Sequence, residues 1–232
     1  MIRNKLSDLL GQRQMKISRL SLLTGIARST LTPIYFNQTE MIKIETINKI
    51  CMALNINVND FFESVNFDID FIYDEDTNEE INNYVASENG VITGYNINVG
   101  ALCEIKELNV KHIFEVKFNA TKNTIIDDNV IYSDKNYGGD GKWQEQESKI
   151  IYELDFGDDY SAKENKSLFF HYVNQMSVGM QLTLENKIIE FVRDILIQKF
   201  KDDDSNSDSF IPKQKLDKLF KKATISISDF YI

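Results

Sequence analysis

Between Ile17 and Phe62 the chain reads ISRLSLLTGIARSTLTPIYFNQTEMIKIETINKICMALNINVNDFF, and no other stretch constrains the fold as much. Apolar residues recur there at helical spacing in several short blocks, with very few residues between blocks. The first break is Thr24-Gly25-Ile26, where Gly25 is free to take the left-handed backbone that a tight turn between two helices needs. Two short helices joined in this way form a helix-turn-helix unit. The same periodicity, extended in both directions, predicts five helices within residues 1–64. The first runs over residues 2–13 on Ile2, Leu6, Leu9, Leu10 and Arg13, and the second over Ile17–Leu23 with Leu20 and Leu23 inward. The third is Arg28–Tyr35, held down by Leu31 and Ile34, followed by a loop over Gln38–Ile42. The fourth is Ile44–Leu54, with Ile44, Ile47, Ile50, Cys51 and Leu54 on one face. Asn55–Val58 leads into a last short helix with Asn59 as its N-cap and Phe61 and Phe62 closing the core. These elements make an all-α N-terminal domain.

The pattern changes at Val65. Asn66–Tyr73 alternates apolar and acidic residues, as a half-buried strand does, and Asp74–Glu80 reads as an acidic turn. Tyr84–Asn98, Ala101–Val110, Lys111–Asn119 and Lys149–Phe156 are strand-like, with Ser133–Ser148 a polar, Gly-rich loop. Ser161–Asn174 is ambiguous between helix and strand. Gln181–Lys201 is a long amphipathic helix on Leu184, Ile188, Phe191, Val192, Ile195 and Leu196. Asp202–Ser209 has the composition of a mobile surface linker, Pro212 opens a short basic helix to Lys222, and Ala223–Ile232 alternates as a final strand. A chain of 232 residues with this change of character divides into residues 1–64 and an α+β domain over 65–232.

The formal charge of −10 would argue against a nucleic-acid partner if it were evenly spread, but it is not. Residues 1–64 carry eight basic side chains (Arg3, Lys5, Arg13, Lys16, Arg19, Arg28, Lys43, Lys49) against five acidic ones (Asp8, Glu40, Glu45, Asp60, Glu63), a net +3. That leaves 18 basic and 31 acidic residues for 65–232, a net −13. A mildly basic head on a strongly acidic body suits an oriented contact with phosphates. Cys51 and Cys103 lie in different halves, and Cys51, in the apolar repeat of a helix, reads as a buried free thiol. The charged, amphipathic N-terminus is not a secretory signal, and no run approaches the ~18 apolar residues of a membrane span. The expectation is a cytoplasmic protein.

The order and wording of TGIARSTLT, the following Pro-Ile-Tyr-Phe run and ETINKICMAL resemble the Xre-type helix-turn-helix domain, the family of the lambda-like phage repressors and Cro. Within that family, residues 1–56 are similar to a subgroup of prophages and chromosomes of low-GC Gram-positive bacteria. That subgroup shows TGISR-S/T-TLT, a hydrophobic-Tyr-aromatic run and ETL-x-x-LC-x-x-L. The resemblance covers residues 1–64 and implies a lambda-repressor-like fold that places its third helix in the DNA major groove. The chain departs from the pattern at Ala27, where Ser commonly caps the third helix, and at Lys16 and Lys43, where Ser or Thr often caps the second and fourth. Pro33 falls inside the third helix, which is therefore expected to be short or kinked near Thr32.

The resemblance implies base or phosphate contacts from Arg28, Ser29, Thr30 and Thr32 at the start of the recognition helix. Lys16, Arg19, Asn37, Gln38 and Lys43 are candidates for anchoring phosphates, with a solvated surface position as the alternative for each. Enzymatic signals are poor. Asp155-Phe156-Gly157 matches the metal-binding triplet of protein kinases without their other motifs, and Gly138-Gly139-Asp140-Gly141-Lys142 lacks phosphate-loop spacing. His112 and His171 stand apart, Ser177-Val178-Gly179-Met180 is no convincing self-cleavage serine, and Asp202–Asp204 with Asp208 lacks calcium-loop spacing. Trp143, Tyr160, Phe169 and Phe170 read as core or partner-facing aromatics. No enzyme activity, cofactor or metal is expected. The functional expectation is a transcriptional repressor of prophage immunity type, a homodimer on a palindromic double-stranded operator, with the acidic domain as dimerisation or effector module. The alternative is an interaction protein whose acidic domain binds an antirepressor, toxin or defence nuclease while its DNA-binding head autoregulates.

Overall fold

The computed structural model describes residues 1–232 except 40, 80–83, 89–90, 127–147, 159, 203–218, 229 and 231–232. The loop expected over Ser133–Ser148 (save Ser148), Gly138–Lys142, Trp143, the acidic linker beyond Asp202 and the start of the basic helix at Pro212 lie outside the described residues. Two compact units emerge. One comprises residues 1–68 with 107–109 and 172–183, the other residues 69–106, 110–171 and 184–232.

In the first unit, strand β1 (Ile2–Asn4) precedes helices α1 (Leu6–Gln12), α2 (Ile17–Thr24), α3 (Arg28–Tyr35), α4 (Ile44–Leu54) and α5 (Val58–Phe61), and strand β2 (Phe62–Ser64) follows. The first helix therefore begins four residues later than its periodicity suggested. Residues 2–4 instead pair antiparallel with β2, Ile2 opposite Ser64 and Asn4 opposite Phe62. The ribbon joins the two ends of the helical domain, a non-local pairing that no helical period can signal. Leu6, Leu10, Leu20, Leu31, Ile34, Ile50, Leu54 and Phe61 form one buried cluster with Cys51. Ile2, expected on the repeat of the first helix, is 74% exposed in β1, and two helical residues expected in the core are outside it as well: Leu23 is 47% exposed and Ile44 is 84% exposed. Leu23 and Ile44 each lie at an end of a helix, where a neighbouring element no longer covers the apolar stripe. The last helix starts two residues earlier than expected. Its N-cap is Asn57, not Asn59, and the Asp60 carboxylate accepts the Asn57 N–H at 3.0 Å in the return bond of a capping box.

Arg3 is buried in this unit, and its guanidinium pairs with both Asp8 and Glu63. Glu63 also accepts the Ser177 hydroxyl at 2.8 Å, and the Ser177 oxygen accepts the Met180 N–H at 3.2 Å. Ser177-Val178-Gly179-Met180 is thus a helix start, and a Cβ at Gly179 would overlap the Arg3 guanidinium, which would have to shift to admit it.

The second unit is built on a five-stranded sheet in the order β3 (Phe67–Tyr73), β6 (Val99–Glu107), β7 (Val110–Ala120), β8 (Lys149–Asp155), β9 (Thr224–Ile227). β7 and β8 are antiparallel and β8 and β9 parallel, so the sheet is mixed. A separate antiparallel pair, β4 (Tyr84–Glu88) and β5 (Val91–Asn96), lies between β3 and β6 in sequence. The acidic turn after β3 is a short helix, α6 (Glu75–Glu79). The ambiguous stretch is a helix, α7 (Tyr160–Val173), and the long amphipathic helix is α8 (Val178–Asp202). Leu184, Ile188, Val192, Ile195 and Leu196 of α8 are buried as their spacing predicts, and Phe71 meets the rings of Phe118, Phe169 and Phe191. The final strand is four residues long, shorter than the alternation over 223–232 suggested.

The kinase-like triplet has a plain structural task. Asp155 ends β8, its carboxylate accepting Asn119 Nδ2 at 2.9 Å and the Gly157 N–H at 2.9 Å, while Phe156 is buried beside Phe169. Gly157, at φ +87°, makes the turn into α7. α6 is held to the start of β6 by Asn78, whose amide donates to the Gly100 carbonyl at 2.6 Å and accepts the Gly100 N–H at 3.1 Å. Burial lowers the Lys199 ammonium to about 8 from the ordinary lysine value of 10.5. Between those two values the unfolded chain binds more protons at Lys199 than the folded chain, so folding stability at this site rises with pH. Denaturant melts from pH 7.5 to 11 are expected to show the wild type gaining on Lys199→Met across that window and level below it.

Candidate nucleic-acid interface

The turn that aims α3 is assembled from α2's last residues. Gly25 takes φ +69° and ψ 9°, and its N–H donates to the Ser21 carbonyl at 2.9 Å. The Thr24 hydroxyl donates to the Leu20 carbonyl at 2.8 Å and accepts the Ile26 N–H at 3.2 Å, while the Ser21 hydroxyl donates to the Ile26 carbonyl at 2.6 Å. Side chains at Ser21 and Thr24 thus satisfy backbone groups that a tight turn would otherwise leave open. Leu20, Leu31 and Ile34 then bury the inner faces of α2 and α3 together.

α3 spans eight residues and continues through Pro33 to Tyr35, so the helix is not cut short at Thr32. The reason lies in Pro33's position. The α-helical bond it cannot make is to the Ser29 carbonyl, on the exposed side of the helix where water is at hand. Beyond it the turn closes normally, Phe36 N–H donating to the Thr32 carbonyl at 3.1 Å and Gln38 N–H to the Pro33 carbonyl at 2.8 Å.

Arg28, Ser29, Thr30 and Thr32 are all exposed. At 100° per residue, Arg28, Ser29 and Thr32 share the face opposite Leu31 and Ile34, and Thr30 falls on its flank. Lys16, Arg19, Gln38 and Lys43 are exposed as well. Lys16, Ala27 and Lys43 occupy the N-cap positions of α2, α3 and α4, and none of them makes a side-chain cap bond. Replacing Ala27 with serine is expected to raise the stability of this domain by about 1 kcal/mol, since a hydroxyl at the N-cap can accept a first-turn N–H, that of Ser29. A chemical melt of the two proteins side by side measures it.

Asn37 is different. It sits half-buried at φ +54°, and its amide faces inward: Oδ1 accepts the Asn4 N–H at 2.9 Å and Asn4 Nδ2 at 2.7 Å, while Nδ2 donates to the Asn4 carbonyl at 3.1 Å. The structure gives Asn37 a clamping task at the end of α3. Its partner Asn4 was hidden inside an assumed helix. The signal for it was an Asn just ahead of the apolar repeat at Leu6, the position of a helix-start residue. Phe36, which ends the Pro-Ile-Tyr-Phe run, is 56% exposed.

A helical domain with an exposed eight-residue helix aimed by a glycine turn is the geometry of a groove reader. Comparison with protein families decides the matter: residues 5–66 match the Cro/C1-type HTH DNA-binding domain. The chain carries an Xre-type helix-turn-helix domain. It is a DNA-binding transcription regulator. No curated protein matches the chain. In this regulator no helix among the described residues is long and apolar enough to cross a membrane. Among the same residues no group of His, Cys, Asp and Glu could hold a metal ion, and both cysteines are free and buried.

Proposed function

We propose that this Xre-type regulator is a sequence-specific repressor of prophage immunity type, acting as a cytoplasmic homodimer on a palindromic operator, with a lambda-repressor-like head. The observation that carries the reading is the Arg28-Ser29-Thr32 face of α3, exposed and unobstructed by its own domain. Eight residues of reading surface give one head few base contacts, so tight binding calls for two heads on half-sites one helical turn apart. The net −13 of residues 65–232 supports the orientation, because that domain is repelled by phosphates while the head is attracted. Repression follows from occupancy: a dimer seated over a promoter excludes polymerase, with no catalytic step and no cofactor. The test is titration of the purified full chain against the DNA upstream of its own gene at several salt concentrations. Binding that weakens steeply with salt, saturating at one dimer per palindrome, is the expected result. Absence of salt-sensitive binding would sink the reading.

The same −13 charge favours a second reading, in which the acidic domain occupies the basic channel of an antirepressor, toxin or defence nuclease and DNA binding serves autoregulation. Light scattering on the full chain separates the two. A dimer at micromolar concentration supports the first, and a monomer that binds DNA only as single heads supports the second.

A further inference from the structure

We propose that Thr32 and Phe36 read thymine through its C5-methyl group, so that α3 has a polar first turn followed by an apolar second reading segment. The proposal rests on the reading of α3 as the DNA-contacting helix and adds to it the class of base that its second half selects.

Two hydrogen bonds set the geometry. The Thr32 hydroxyl donates to the Arg28 carbonyl at 2.8 Å, and the Phe36 N–H donates to the Thr32 carbonyl at 3.1 Å. Arg28, Thr32 and Phe36 are therefore stacked one turn apart on a single stripe of the helix. The first bond also decides what Thr32 offers. With its only proton committed to the backbone one turn back, the hydroxyl is no longer a donor to a base edge, and what exposed Thr32 can still offer is its γ-methyl and an oxygen lone pair. Phe36 continues the stripe with a ring that is 56% exposed and held edge-on against Tyr35, centroids 5.0 Å apart. Pro33 lies beside them and has no N–H. Along this stripe from Thr32 to Phe36 the helix thus shows the groove a methyl, a pyrrolidine and a phenyl and no side-chain donor, while Tyr35 packs half-buried against the core cluster.

In the major groove each base pair displays hydrogen-bonding atoms except at one place, the thymine C5-methyl, which is apolar. An apolar strip gains nothing from guanine, cytosine or adenine edges and leaves their polar atoms without partners, whereas a thymine methyl buries against it. Arg28, at the head of the same stripe, has the bidentate fork that matches guanine. The helix is built to find a guanine followed, within a few base steps, by thymines.

The experiment starts from a random double-stranded pool, from which the full chain selects its own duplex. That duplex is then made again with each thymine replaced singly by deoxyuridine, which deletes the methyl and nothing else. At one or two positions the wild type is expected to lose about fourfold in affinity, the weight of one buried methyl group. Thr32→Ser keeps the hydroxyl bond and removes only the methyl, and Phe36→Ala removes an exposed ring. Each is expected to bind the thymine and deoxyuridine duplexes alike at one of those positions. If the wild type binds the selected duplex with salt-sensitive affinity yet tolerates deoxyuridine everywhere, the proposal is overturned while DNA binding stands. Retention of the deoxyuridine loss in both variants overturns it equally. If no duplex is enriched, the DNA-binding reading of α3 falls and takes this proposal with it.

Discussion

Arg28→Ala is expected to weaken binding to the selected duplex by about 1–3 kcal/mol per head and to flatten the base preference at one position of each half-site. Arg28 is the first residue of α3, and side chains there meet base edges when a recognition helix enters the major groove. Its guanidinium offers two parallel donors to the O6 and N7 acceptors of guanine, and no truncated side chain replaces them. The loss should be unequal across sequences: large on the preferred duplex, small on one already mismatched at that base pair. Lys16→Ala makes the contrast. A lysine at the N-cap of α2 contributes a charge and no base edge, so its loss should weaken all duplexes alike and lower the salt slope by about one. Fluorescence anisotropy on matched and mismatched duplexes at three salt concentrations distinguishes the two patterns. A uniform loss from Arg28→Ala would place the base reading elsewhere on the head.

Asn4→Ala is expected to destabilise the N-terminal unit by about 1–3 kcal/mol, from one buried N–H left unpaired and two further hydrogen bonds lost. Asn4 is 4% exposed and every polar atom of its side chain is used. Nδ2 donates to the Ile34 carbonyl at 2.8 Å and to Asn37 Oδ1 at 2.7 Å, and Oδ1 accepts the Leu6 N–H at 3.0 Å. One residue thus caps α1 and ties its start to the last turn of α3. Alanine leaves the buried Leu6 N–H without its acceptor, while the Ile34 carbonyl keeps the Asn37 N–H at 3.1 Å and Asn37 Oδ1 keeps the backbone N–H of residue 4 at 2.9 Å. Hydrogen exchange on the full chain should show protection lost across α1–α4, with the strands β7 and β8 unaffected. Asn37→Gly is the milder companion. It keeps the φ +54° backbone at no strain but drops the return bonds to Asn4, so its cost should be clearly below that of Asn4→Ala. Equal losses would mean that the helix cap at Leu6, and not the clamp on α3, carries the energy.

Much of the head was legible. The Arg28–Tyr35 and Ile44–Leu54 helices stand where the apolar repeat placed them, and Gly25 has the left-handed conformation that its position demanded. Local rules suffice for such features, because a 3.6-residue period and a glycine in a tight turn act over a few neighbours. Other features failed for the converse reason. β1 carries no period, and its partner β2 lies some sixty residues away. Leu23 and Ile44 obey the helical spacing but lie where nothing packs against them, and spacing says which residues share a face, not what covers it. Pro33 was read from the average cost of an interior proline, whereas the cost here depends on which carbonyl loses its donor and whether water reaches it. The helix over Tyr160–Val173 was undecidable from its mixed pattern, and packing of Phe169 and Val173 into the interior settled it.

The sequence by itself therefore determined the kind of head, the turn that aims its reading helix, and the side chains at the front of that helix. Only the tertiary structure decided what those side chains can offer. Asn37 turned inward because Asn4 was waiting across β1, and Thr32 lost its donor to a carbonyl one turn back. A hydroxyl or amide has one set of hydrogen bonds to give, and whether the protein itself takes them is settled by partners that sequence order does not place side by side.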